Sequence, residues 1–442
     1  MKALLLVDGE HYPPVTRWAV EVARERGLDP VAALLVGGGE KLAAADELDL
    51  GIPVTRSDAD RSASLRAAIA AHRPGAVLDL SDEPVLGYRE RMELVAVALV
   101  AGLPYLGPDF RLDPPIEGPA LPVPTAAVIG TGKRTGKTAI AGEVARVAAS
   151  LDLTPILVAM GRGGPPKPQV AEAGSVDLPR LIDLRRRGEH AASDYLEDAL
   201  MAGVTTIGAR RAGGGLAGRP FATNVREAAD LAVGLGAGVV ILEGSGSAVP
   251  PIPWDVGILV VPATAPPEYL GGYLGPYRLL LSDLVVFTMG TSPSGLENLP
   301  VLRSHVQRFQ ADARQIITDF IPVPLADVRG RRAFFITTAP EPVAARQVQH
   351  LEAEAGCRVV GWSARLADRA GLAEDLEAAE RYDVLLTELK AAAVDIGVEQ
   401  ALARGAEVVF VDNRATVVEG STDLRTAIAE ALELAMERGS SR

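Results

Sequence analysis

One segment restricts the possible folds of this chain more than any other: Val128-Ile129-Gly130-Thr131-Gly132-Lys133-Arg134-Thr135-Gly136-Lys137-Thr138. It leaves a short apolar run, Ala126 to Ile129, and enters a stretch in which Ile140, Val144, Val147 and Leu151 recur on one helical face. A glycine-rich turn between a buried strand and a helix, closed by Gly-Lys-Thr, has the layout of a phosphate loop. Gly130, Gly132 and Gly136 let the backbone curl, so that N–H groups around Thr131, Arg134 and Thr135 face a phosphate while the helix N-terminus adds positive potential. Lys137 would reach the β- and γ-phosphates of ATP, and the Thr138 hydroxyl would coordinate Mg²⁺. The loop therefore calls for an α/β domain built on a mostly parallel sheet.

A phosphate loop needs an acid near its metal, usually at the end of another buried strand. Val239-Val240-Ile241-Leu242-Glu243-Gly244-Ser245-Gly246 meets that demand, and Glu243 is the expected second Mg²⁺ ligand. Basic residues cluster in glycine-rich loops around these parts: Lys133 and Arg134 in the phosphate loop, Arg162 and Lys167 after a strand, then Arg210, Arg211 and Arg219. Glycine permits close approach and arginine grips phosphate or carboxylate with paired donors. This predicts a small, highly anionic substrate, with Lys133, Lys137, Glu243 and Arg162 at the reacting groups and Lys167, Arg210 and Arg211 binding substrate. The loop after the first strand, Asp8-Gly9-Glu10-His11-Tyr12-Pro13-Pro14, holds polar side chains where α/β domains bind ligands, so Asp8, Glu10 and His11 are further substrate-binding candidates.

Strand-like and helix-like runs alternate along the whole chain, and two proline-rich breaks divide it. Pro114, Pro115, Pro119, Pro122 and Pro124 deny the backbone both helix geometry and ladder donors, and a second break is expected at Pro322 to Pro324. The expected organisation is three-domain α/β: a Rossmann-like domain at 1–120, the phosphate-loop domain at 121–325, and a smaller α/β domain at 326–442. A formal net charge of −13 argues against nucleic acid and anionic membranes as partners. The single cysteine, Cys357, excludes an internal disulfide, and no apolar run has membrane length, so a cytoplasmic location is expected.

Several blocks carry a family resemblance: Leu-Val-Asp-Gly-Glu-His-Tyr-Pro-Pro at 6–14, Gly-Thr-Gly-Lys-Arg-Thr-Gly-Lys-Thr at 130–138, Gly-Arg-Gly-Gly-Pro-Pro at 161–166, and Ala-Ser-Asp-Tyr-Leu-Glu-Asp-Ala-Leu at 192–200. With these the chain resembles the cyclic 2,3-diphosphoglycerate synthetase family, and Thr387-Glu388-Leu389-Lys390 marks a further candidate site in the third domain. The loop also resembles that of the dethiobiotin synthetase group, whose Gly-Thr-x-x-x-x-Gly-Lys-Thr matches the placement of Thr131 where a phosphate loop usually has its first glycine. The family resemblance implies an ATP-dependent ligase that joins the two phosphates of 2,3-bisphosphoglycerate into a cyclic phosphoanhydride, with Mg²⁺ as cofactor, K⁺ as a further candidate and a homodimer as the expected assembly. Two other readings stay open from the residues alone: a kinase acting on another small carboxylate or phosphate, and a nucleotide-switched partner-binding protein. The switch reading is the weaker, because the signature lysine expected five positions before Lys137 is Gly132 here.

Overall fold

The computed structural model of this chain describes residues 1–38, 48–390, 392–420 and 422–441. The first domain is a sheet whose described strands run in the order Val54–Arg56, Asp29–Leu35, Lys2–Val7, Ala76–Asp79, Tyr105–Leu106, Arg111–Leu112, parallel except for the last pair. Ala3 to Val7 are all buried, the unbroken apolar run of a parallel strand covered on both faces. Residues 113–124 hold neither helix nor strand, as their prolines require.

The second sheet begins with Ala222–Thr223, Thr206–Ala212 and Pro155–Gly161, and continues through Val239–Glu243, Thr125–Gly130, Val256–Pro262 and Leu284–Thr288 to Arg314–Pro324. Thr125–Gly130 lies at its centre, wholly buried, with parallel neighbours on both sides. Glu243 is in register with Val128, so the loop after Gly130 and the carboxylate of Glu243 leave the sheet at the same edge. That edge, flanked by strands whose connections run to opposite sides, is where open α/β sheets hold ligands.

The sheet does not stop at the second proline cluster. Arg314–Pro324 is one continuous strand, paired antiparallel with Glu407–Gly420 across Pro322↔Asn413 and Pro324↔Val411. The break expected there is absent for a stereochemical reason. Leu284–Thr288 pairs only with Arg314 to Ile317, so residues 318–324 have a strand neighbour on one side. Prolines two residues apart both turn their missing N–H toward the other side, the position in which a strand tolerates them. Val384–Thr387, Arg332–Ile336 and Arg358–Ser363 then extend the same sheet in parallel, making the third domain.

Apolar packing joins the three parts. Leu389, Val394 and Phe410 of the third domain belong to one buried cluster with Val144, Ala148 and Leu196 from the phosphate-loop face, and the helix Leu424–Ser440 adds Leu424, Ile428 and Leu432. Ala217, Leu274 and Tyr277 close the core of the first domain. Among the described residues no helix is long and apolar enough to cross a membrane.

Candidate active site

The phosphate loop is held by its neighbours in a conformation that few residues could adopt. Gly136 has φ +89°, and a Cβ there would lie 2.3 Å from the Phe320 ring, so backbone and space both demand glycine. Thr288 Oγ1 donates to the Thr135 carbonyl at 2.8 Å, tying the loop to a neighbouring strand. The helix Lys137–Ser150 starts directly behind Gly136 without a side-chain cap, which leaves its first N–H groups turned to the loop. Lys137 curls back over that loop, its Nζ donating to Gly132 O at 2.8 Å and to Thr135 Oγ1 at 3.1 Å. Burial pushes its ammonium group down to about 8, against the pull of Glu243 and Asp194.

Thr138 Oγ1 donates to Glu243 Oε1 at 2.8 Å, bringing together the two side chains expected to hold the metal. Burial raises Glu243 to about 7, and the neighbouring charge of Asp194 adds to it. The carboxyl of Asp198 abuts that of Glu243; it is buried, neither oxygen meets a donor, and burial followed by the Glu243 charge lifts it well above the usual range. Two enclosed carboxyls facing each other can share a proton or a cation. Thr138, Glu243 and this orphaned acid fit Mg²⁺, which usually keeps several waters and takes phosphate oxygens beside one or two carboxylates.

Cations from two loops, Lys133 and Arg162, and from a strand end, Arg211, meet at the turn after Glu243. Gly246 has φ +60°, and a Cβ on it would lie 3.1 Å from Arg162 Nη2, 3.4 Å from Arg211 Nη2 and 3.8 Å from Lys133 Cγ. Arg211 is buried and fixed, donating to Gly213 O at 2.5 Å and Ser245 O at 2.8 Å, while Arg162 and Lys133 are exposed. Burial and the Arg162 charge lower the Arg211 guanidinium from its ordinary value. From behind, the buried Arg278 donates to Ser247 O at 2.6 Å and braces the turn.

The remaining predicted residues have other surroundings. Arg210 precedes Arg211 on a strand, where consecutive side chains point to opposite faces, and its Nε donates to Gly164 O at 2.8 Å. It holds the Gly161–Pro166 turn. Lys167 and Arg134 are exposed. Asp8 and His11 form a cluster of their own at the strand ends of the first domain. Asp8 accepts from the backbone N–H groups of Glu10, His11 and Asp82 at 3.0, 3.3 and 2.7 Å and pairs with His11 Nδ1 at 2.8 Å. Burial pushes Asp8 up, but these donors outweigh it and hold the carboxyl below its ordinary value. Glu10 is exposed beside them.

The residues that sequence reasoning left out of the site lie on the helix Asp194–Ala202. Asp194, Glu197 and Asp198 stand at i, i+3 and i+4, one face of a helix, and that face backs onto Glu243. The spacing is visible in Ala-Ser-Asp-Tyr-Leu-Glu-Asp-Ala-Leu; what hides it is that three acids on one face ordinarily mark a solvated surface.

Three family models match in succession: the cyclic 2,3-diphosphoglycerate synthetase N-terminal domain at 2–113, its P-loop domain at 125–318 and its C-terminal domain at 324–414. A cyclic 2,3-diphosphoglycerate synthetase from Rubrobacter xylanophilus is 45% identical over 417 residues, 93% of this chain and 94% of the relative. The proteins of that name from Methanothermobacter thermautotrophicus and Methanothermus fervidus are 40% and 38% identical, covering 98% and 99% of this chain and 96% and 98% of their own lengths.

Proposed function

This chain belongs to the cyclic 2,3-diphosphoglycerate synthetase family, an ATP-dependent ligase, and from that premise we propose that it closes 2,3-bisphosphoglycerate into its cyclic phosphoanhydride while ATP becomes ADP and phosphate. The observation that supports this reading most is the meeting of Arg162, Arg211 and Lys133 at Gly246, on the turn that directly follows Glu243. A triphosphate site alone needs Lys137, Thr138 and an acid. Three further cations at its mouth suit a second, densely anionic reactant.

Two phosphates and a carboxylate on three carbons repel one another, and the ring forms only when one phosphate oxygen approaches the phosphorus of the other. In the first step a substrate phosphate oxygen attacks the γ-phosphorus of ATP; the γ-phosphorus–oxygen bond to ADP breaks and a mixed anhydride results. In the second, an oxygen of the other substrate phosphate attacks the activated phosphorus; the new ring bond forms and inorganic phosphate leaves with the electron pair. Lys137 would carry charge developing on the transferred group, and Arg162, Arg211 and Lys133 would offset the repulsion between the phosphates. Arg210 keeps the Arg162-bearing turn in place, and Arg278 braces the Gly246 turn where the cations meet. Mg²⁺ held by Thr138 and Glu243 would neutralise charge between the β- and γ-phosphates.

Incubating the protein with ATP, Mg²⁺ and 2,3-bisphosphoglycerate and following phosphorus NMR tests the reading. The expected result is cyclic phosphoanhydride resonances that grow in step with ADP and phosphate. ADP formed without them would leave an ATPase or a simple kinase in its place.

A further inference from the structure

The Thr387-Glu388-Leu389-Lys390 turn, singled out in the sequence, is not used by the mechanism above, yet it reaches the phosphate-loop domain. Leu389 is fully buried in the same cluster as Val144, Ala148 and Leu196, so the turn is anchored on the phosphate-loop side of the domain boundary. Its neighbour Lys390 extends to the acidic helix and places Nζ 3.2 Å from Glu197 Oε1. One helical turn before Glu197, Asp194 acts electrostatically on Lys390 and on Lys137 alike. Asp194 Oδ2 also lies 3.0 Å from where a Cβ on Gly161 would stand, beside Arg162. A single carboxylate thus lies beside the arginine-bearing turn and within electrostatic reach of both the phosphate-loop lysine and the third-domain lysine.

We infer that Lys390 is a substrate-binding residue contributed by the third domain, its ammonium group parked on Glu197 and moving to an anionic group of the small substrate when that substrate enters. The inference rests on the functional reading above. Its geometry favours an anion site over a simple strut in two ways. The Lys390 side chain is 38% exposed while that of Glu197 is 12% exposed, so the lysine is the more solvent-facing partner of the pair. The contact is also a single ammonium–carboxylate pair on a flexible four-carbon stem, which can be re-aimed with little rearrangement. The third domain is already fastened elsewhere by Arg146 on Asp412 at 3.2 Å, by Arg425 on Glu143 at 2.8 Å and by Arg185 on Glu399.

The test is calorimetric titration of 2,3-bisphosphoglycerate into full-length protein saturated with Mg²⁺ and ADP, with ADP affinity measured separately. Lys390→Gln is expected to weaken 2,3-bisphosphoglycerate binding about tenfold or more while ADP affinity changes less than about twofold, and Lys390→Arg is expected to recover most of the loss. Unchanged 2,3-bisphosphoglycerate affinity in Lys390→Gln would overturn the inference. So would parallel loss of ADP and 2,3-bisphosphoglycerate binding, which would make Lys390 a structural strut. If the unsubstituted protein binds no 2,3-bisphosphoglycerate, both the inference and the functional reading fail. If it binds the compound with the expected Lys390 dependence but forms no cyclic product, only the functional reading fails.

Discussion

Glu243 and Glu388 are two glutamates at strand ends of the same sheet, both almost entirely enclosed, and they have opposite surroundings. Glu388 accepts from Thr337 Oγ1 at 2.6 Å, Thr338 Oγ1 at 2.8 Å and Asn413 Nδ2 at 3.1 Å. Burial pushes its carboxyl up, but the Lys390 charge and these donors together bring it below its ordinary value. Glu243 has one hydroxyl donor, Thr138, and faces Asp194 and Asp198, so burial prevails and its carboxyl rises to about 7. Enclosure is therefore common to both, and the donor set decides the outcome. A carboxylate whose donors are complete holds a fold together; one left among other acids is built to receive a cation.

The largest expected effect removes the buried lysine of the phosphate loop, whose charge acts on Glu243. Lys137→Ala should lower ATP-dependent product formation by roughly a thousandfold, since a lost charge-stabilising donor costs about two to three orders of magnitude; steady-state ADP release checks it. Glu243→Gln should lower the rate by roughly a hundredfold or more through the lost metal ligand, yet leave the thermal midpoint of the nucleotide-free protein unchanged or higher, because an amide relieves the crowding of acids. Glu388→Gln should do the reverse: it puts an amide N–H donor where groups that donate to the carboxylate already point, and should cost about 1–3 kcal/mol of stability in urea unfolding. A drop in stability for Glu243→Gln as large as that for Glu388→Gln would erase the contrast.

The same contrast has a signature in pH. Glu243 and Glu197 are each raised by burial from an ordinary 4.5 to about 7, so the folded nucleotide-free protein holds protons there that the unfolded chain has released. Their contribution to stability therefore declines as pH rises from about 4.5 to about 7 and levels off above. Glu388 has the opposite sign: its contribution is complete above its ordinary 4.5 and is lost as pH falls through its lower folded value. Urea unfolding across this range should show the decline weakened in Glu243→Gln and the acid loss weakened in Glu388→Gln. The smallest effect concerns the opposite wall. Gly246→Ala forces a left-handed backbone on a residue with a Cβ, at roughly 1–2 kcal/mol, and crowds Arg162 and Arg211; 2,3-bisphosphoglycerate affinity should fall severalfold with ADP affinity retained.

The sequence showed one side of this site more clearly than the other. Gly136-Lys137-Thr138 and the strand ending in Glu243 are contiguous signals whose chemistry is local, so their partnership could be read before any contact was known. Arg162 and Arg211 were legible because glycine-rich loops after strands converge on one sheet edge. Arg210 could not be told from Arg211 by residue type; strand alternation separates them, and a one-residue uncertainty in register reverses the assignment. The acidic helix gave its i, i+3, i+4 pattern openly, but whether such a face meets water or Glu243 depends on packing. The prolines at 322 and 324 misled for a similar reason: they forbid pairing on one side only, and the sequence does not say which side is occupied.

The most direct test of the proposed chemistry follows oxygen atoms. With heavy oxygen in the non-bridging positions of both substrate phosphates, the bridging atom of the mixed anhydride comes from substrate, and it departs with the transferred phosphoryl group when the ring closes. The account predicts that phosphorus NMR will show inorganic phosphate carrying one heavy oxygen from the substrate, alongside cyclic product. Inorganic phosphate containing an oxygen from water and none from the substrate would contradict it.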